Sequence, residues 1–122
     1  MIGYVTLGTN DLARAAKFYD ALLAEVGGKR TLESDRFVSW STGAAGPGLG
    51  VIKPFDGKAA TVGNGTMVAL MAASKAQVDA VYKKALELGG KDEGAPGPRG
   101  DGFYAGYFRD LDGNKLNCFF LG

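Results

Sequence analysis

A chain of 122 residues, 46% of them apolar and 22% charged, is long enough to bury a real core and too apolar for intrinsic disorder. Its formal charge of +1, with Lys and Arg scattered, offers no basic patch for nucleic acid and no polybasic segment for a membrane surface. It has no histidine, which excludes Ser–His–Asp and Cys–His catalysis, and a single cysteine, which excludes an intrachain disulfide and a thiolate metal cage.

Cys118 falls in the apolar run Leu116 to Leu121, where a small buried hydrophobe is the expected role. No apolar run approaches the roughly 18 residues of a membrane span, and no cationic leader precedes the first strand-like segment. A soluble, cytoplasmic protein is the expectation.

In chain order, Ile2 to Leu7 reads as a strand ending at Gly8. Asp11 is an N-cap for a helix over Leu12 to Val26, with Ala15, Phe18, Tyr19, Leu22, Leu23 and Val26 at amphipathic spacing. Gly27-Gly28 stops it. Lys29 to Leu32, Arg36 to Ser41 and Leu49 to Phe55 follow as strands, with a hairpin loop over Ser41 to Gly48. The second half restates this order. Thr66 to Met71 is a strand, and Ser74 with Gln77 forms a capping box before a helix that Gly89-Gly90 stops. Lys91 to Glu93, Tyr104 to Asp110 and Lys115 to Leu121 are the remaining strands, the last two joined by the turn Asp112-Gly113-Asn114. The Pro- and Gly-rich stretch from Gly94 to Gly102 reads as a loop long enough to act as a lid.

Each half is thus βαβββ, an α+β chain of two tandem modules: 1–57, then 58–122 with a linker over 58–65. Val5 to Leu12 leading into Phe18-Tyr19, Pro54-Phe55-Asp56-Gly57, Gly63-Asn64-Gly65-Thr66, and Tyr107 to Asp110 followed by Asp112 to Lys115 go further. With these motifs the chain resembles the vicinal oxygen chelate superfamily, which includes glyoxalase I, extradiol dioxygenases, and fosfomycin- and bleomycin-resistance proteins. The resemblance implies curved mixed sheets around a shared cleft, and a homodimer. In metal-using members, His and Glu ligands hold an ion that chelates two substrate oxygens and stabilises a developing anion.

Carried over by position, the ligand sites of the family fall on Tyr4, Met67 and Asn117, with the fourth near Val51 or Lys53. A phenol, a thioether and a neutral amide are weak partners for a divalent ion, so no metal and no other cofactor is expected. Asp110 and Asp112 flank a turn and read as turn-forming residues. By the resemblance, Tyr4, Met67 and Asn117 point into the cleft. Trp40, Phe37, Tyr104 and Tyr107 are candidate aromatic walls, and Arg36, Lys53 and Arg109 are candidate anion contacts.

Three readings fit these residues. The first is metal-independent binding of a small organic molecule, as in bleomycin-resistance proteins, which sequester ligand in a dimer groove. The second is a lyase or isomerase of the glyoxalase type acting without the usual metal. The third is a structural or interaction dimer with a filled cleft. The missing imidazoles favour the first and third, and the lid-like loop favours the first over the third.

Overall fold

The structure is a computed structural model that describes residues 1–43 and 45–122. Ala44, in the expected hairpin loop, lies outside the described residues. The chain forms two compact units, Met1–Val62 and Gly63–Gly122. The first contains β1 (Tyr4–Gly8), α1 (Leu12–Ala24), β2 (Lys29–Glu33), β3 (Phe37–Ser41) and β4 (Gly48–Ile52). The second contains β5 (Val68–Met71), α2 (Lys75–Glu87), β6 (Lys91–Pro98), β7 (Phe103–Arg109) and β8 (Lys115–Leu121). Each unit is a βαβββ module. Its mixed sheet pairs the first strand in parallel with the last, giving the orders β1-β4-β3-β2 and β5-β8-β7-β6.

Local chemistry sets both helices. The Asp11 carboxylate accepts from Arg14 N at 3.0 Å, and the Ser74 hydroxyl accepts from Gln77 N at 3.1 Å. Each cap satisfies an orphan amide and contributes about 1 kcal/mol. Gln77 Oε1 reaches back to Ala73 N at 2.6 Å. At the far ends Gly27 and Gly89 take the left-handed conformation, with φ of 81° and 98°. Gly28 and Gly90 then return their amides to Leu23 O and Ala85 O, both at 2.8 Å.

One face of each sheet is covered by its own helix, and side chains alternate between that face and the other. In the first unit Leu7, Val38, Trp40, Leu49 and Val51 are buried with Phe18, Tyr19, Leu22 and Leu23 of α1. In the second, Phe108, Leu116 and Cys118 are buried with Val78, Val81 and Ala85 of α2.

Two expectations are corrected. The strand expected over Leu49 to Phe55 stops at Ile52, short of Pro54, whose ring nitrogen has no hydrogen to donate to a ladder. The lid expected from Gly94 to Gly102 is mostly strand. β6 runs to Pro98 and pairs with β7 through Gly94↔Tyr107, Gly97↔Ala105 and Pro98↔Tyr104, and Phe103 N closes a turn onto Gly100 O at 3.2 Å. Two prolines are tolerated because β6 is an edge strand with two register shifts. Pro96 packs where Gly106 has no side chain, since a Cβ there would meet Pro96 Cγ at 3.0 Å.

Candidate functional site

The face of each sheet that its own helix leaves uncovered carries most of the candidate residues, and strand parity sorts them. In the first unit Tyr4, Thr6 and Gly8 of β1 pair with Gly48, Gly50 and Ile52 of β4, and the row continues through Ser39 and Phe37. Tyr4 is 74% exposed. Beside it Gly48 and Gly50 carry no side chain; a Cβ at Gly48 would meet Tyr4 Cβ at 3.4 Å. Ser39 and Thr31 share a hydroxyl hydrogen bond of 2.9 Å. This face is neutral along these rows.

Trp40, expected as a cleft wall, sits on the other face. It is 1% exposed, its ring lies 5.7 Å from that of Tyr19, and its Nε1 donates to Asp20 Oδ1 at 2.8 Å. Arg30 grips the same carboxylate, with Nε and Nη2 at 2.8 and 2.7 Å, and its guanidinium lies over the indole. The Arg30 hydrogen bonds, followed by that from Trp40, hold the Asp20 carboxyl below its ordinary range. Trp40 is therefore core, tied to helix α1. Val51 is buried on that face too. Lys53 lies just beyond β4 with an exposed side chain; its amide donates to Arg36 O at 2.9 Å and its carbonyl accepts from Arg36 Nη2 at 3.1 Å.

In the second unit Asn117 stands at the centre of the uncovered face, between Ala69 of β5 and Tyr107 of β7. It is only 2% exposed, and its Oδ1 is buried with no hydrogen-bond partner. The Tyr107 ring carries two cations, Arg99 Cζ at 5.5 Å and Lys115 Nζ at 5.7 Å from its centroid. Further along β7 and β8, Phe103 and Phe119 stack at 5.5 Å. Arg109, expected as an anion contact, is held by Glu93 through Nε and Nη2 at 2.8 Å. Met67 precedes β5 and is 40% exposed.

Tyr104 lies on the helix side. Its hydroxyl donates to Asp79 of α2 at 2.7 Å, which raises its pKa, and Lys75 lies over its ring. Tyr82 of α2 donates to Asp92 at 2.8 Å; burial raises the Tyr82 pKa and that hydrogen bond lowers that of Asp92. Burial pushes the Cys118 thiol up to about 12, so it is not a nucleophile at neutral pH. Asp110 is spent on its turn: Oδ1 accepts from Asp112 N and Asn114 N, and Oδ2 from Asn114 Nδ2, all at 2.9 Å. Among the described residues no group of three or more Asp, Glu or Cys side chains could hold a metal ion.

Sequence reasoning missed Arg99, Lys115 and the Phe103–Phe119 stack. Lys115 and Phe119 are two residues either side of Asn117, so alternation along β8 would have found both.

With this geometry in place, comparison with known proteins settles the family. A family model described as the Glyoxalase/Bleomycin resistance protein/Dioxygenase superfamily matches residues 1–118. The chain belongs to that superfamily. A glyoxalase/bleomycin resistance protein from Albidiferax ferrireducens T118 is 35% identical, covers 98% of this chain and 97% of its own, and superposes with a TM-score of 0.90. A hypothetical protein from S. aureus, SA1046, is 27% identical with a TM-score of 0.73, over 98% of this chain and 96% of its own. Lactoylglutathione lyase from Agrobacterium tumefaciens, 22% identical with a TM-score of 0.73 over 98% and 92%, shares the superfamily fold. No curated protein matches the sequence. Among the described residues no helix is long and apolar enough to cross a membrane.

Proposed function

We propose that this superfamily member binds a small organic molecule on the uncovered faces of its sheets, as a homodimer and without a divalent metal at the positions where relatives hold one. The observation that carries the reading is the chemistry around Asn117. Among the described residues its Oδ1 is the one buried side-chain nitrogen or oxygen without a hydrogen-bond partner. A lone neutral amide brings no charge to offset the cost of stripping water from a divalent ion. The neighbouring Tyr107 ring already carries Arg99 and Lys115, whose charges oppose a further cation. Tyr4, largely exposed, and Met67 add a phenol and a thioether. This donor set does not fit the metal of the family.

Binding is favoured over turnover because the chain has no histidine, the side chain most often used as general acid or base near neutral pH.

Native mass spectrometry on untagged protein tests the reading. The expected spectrum is a dimer without stoichiometric metal. One tightly held divalent ion per subunit would restore the metalloenzyme mechanism and end this proposal.

A further inference from the structure

Resting on that reading, the second unit says which class of molecule it takes. The uncovered face of its sheet changes character along β8. Lys115, Asn117 and Phe119 occupy alternate positions of the strand and so share that face, with successive Cα atoms roughly 7 Å apart. At one end stand Lys115 and Arg99 on the Tyr107 ring; Arg99 donates Nη2 to Ala95 O at 2.6 Å and Nη1 to Pro98 O at 3.4 Å, and no carboxylate is paired with either cation among the described residues. In the middle is the Asn117 carbonyl, buried and unpartnered. At the other end Phe119 stacks on Phe103.

A buried carbonyl without a donor is a standing cost to the folded protein, and a leucine of similar size would remove it. Its place between two cations that lack a carboxylate partner and an aromatic pair gives that cost a purpose. We infer that the second sheet binds an aromatic carboxylate that carries an N–H or O–H on the ring bearing the acid arm. The carboxylate meets Lys115 and Arg99, the donor satisfies Asn117 Oδ1, and the ring lies against Phe119 and Phe103. Charge-assisted contacts supply orientation, and the apolar end supplies most of the buried area.

Three matched probes test each part by isothermal titration calorimetry on the untagged full chain. Indole-3-acetate has ring, N–H and acid; naphthalene-1-acetate lacks the N–H; indole-3-acetamide lacks the charge. Indole-3-acetate is expected to bind roughly tenfold more tightly than either analogue, the worth of one hydrogen bond or one exposed ion contact. Asn117→Leu should abolish discrimination between the two acetates while raising Tm, an outcome opposite to that of a merely structural asparagine. Lys115→Gln should abolish discrimination between acetate and acetamide, and stands as an independent test if the leucine variant does not fold. Equal binding of the acetamide, unchanged discrimination in both variants, or no binding of indole-3-acetate would each overturn the assignment. If it falls while native mass spectrometry stays metal-free, only the ligand class is wrong; a stoichiometric metal ion would instead remove the reading beneath it.

Discussion

The two units share a plan and differ on both sides of their sheets. On the helix side the first is fastened by a large aromatic, Trp40, hydrogen-bonded to Asp20 under Arg30. The second has no such anchor. Its buried sheet residues there are Phe108, Leu116 and Cys118, and two phenols, Tyr82 and Tyr104, bridge helix and sheet through Asp92 and Asp79. On the uncovered side the first unit offers Tyr4, glycines and hydroxyls, whereas the second offers cations, an orphan amide and stacked rings. Core chemistry can drift as long as volume and pattern are kept. The face away from the helix is free of helix packing, so a duplicated scaffold can put ligand chemistry on one copy alone.

The strongest way to break this comparison is to remove the anchor. Trp40→Ala should destabilise by about 3–5 kcal/mol in urea unfolding followed by circular dichroism, through the cavity it leaves. Trp40→Phe keeps much of the packing but leaves Asp20 one donor short, and should cost about 0.5–1.5 kcal/mol. If the two variants are equally unstable, the hydrogen bond and not the packing holds the first unit.

The helix stops offer a closer contrast. A Cβ on Gly90 would meet Arg109 O at 2.7 Å and Ala85 O at 2.8 Å, both backbone atoms. On Gly28 it would meet Leu23 Cβ at 2.9 Å and Leu23 O at 3.0 Å. Each alanine variant should cost about 1–3 kcal/mol, with Gly90→Ala the worse because helix and strand backbones must both move. Thermal melts that reverse this order would contradict the close approach seen in the second unit.

The smallest effects are in pH. Asp20 titrates below its ordinary value when folded, so its stabilisation is present above roughly pH 4 and is lost as pH falls through the folded value. Fluorescence of Trp40, the only tryptophan, should show an acid transition that Asp20→Asn flattens. Cys118 behaves oppositely. Its thiol moves from 9.0 to about 12 on burial, so the unfolded state loses its proton first and stability falls as pH rises between those values. A thiol reagent at neutral pH should label Cys118 only as the second unit unfolds. Labelling of the folded protein at the rate of a free cysteine would show that strand β8 opens.

Much of the site was readable from strand parity, which the resemblance alone did not apply. Trp40 lies three residues from Phe37, and Tyr104 three from Tyr107; residues an odd distance apart in one strand face opposite ways. Of the four candidate walls, Phe37 and Tyr107 therefore share the uncovered faces, and Trp40 and Tyr104 do not. What parity could not give is partnership. Arg109 and Lys115 are directly opposite one another across β7 and β8, yet Glu93 of β6 engages Arg109 and leaves Lys115 on the Tyr107 ring.

The sequence by itself determined the repeated βαβββ order, both helix caps, both helix stops and the superfamily. Each rests on short-range chemistry: a side-chain oxygen three residues before an amide, a glycine where φ must be positive, an alternation of period two. Only the tertiary structure decided that Gly94 to Pro98 is a strand, because a proline is harmless on an edge whose outer amides need no partner. It alone showed that Asn117 is buried without a donor, because satisfaction of a polar atom depends on neighbours drawn from across the fold.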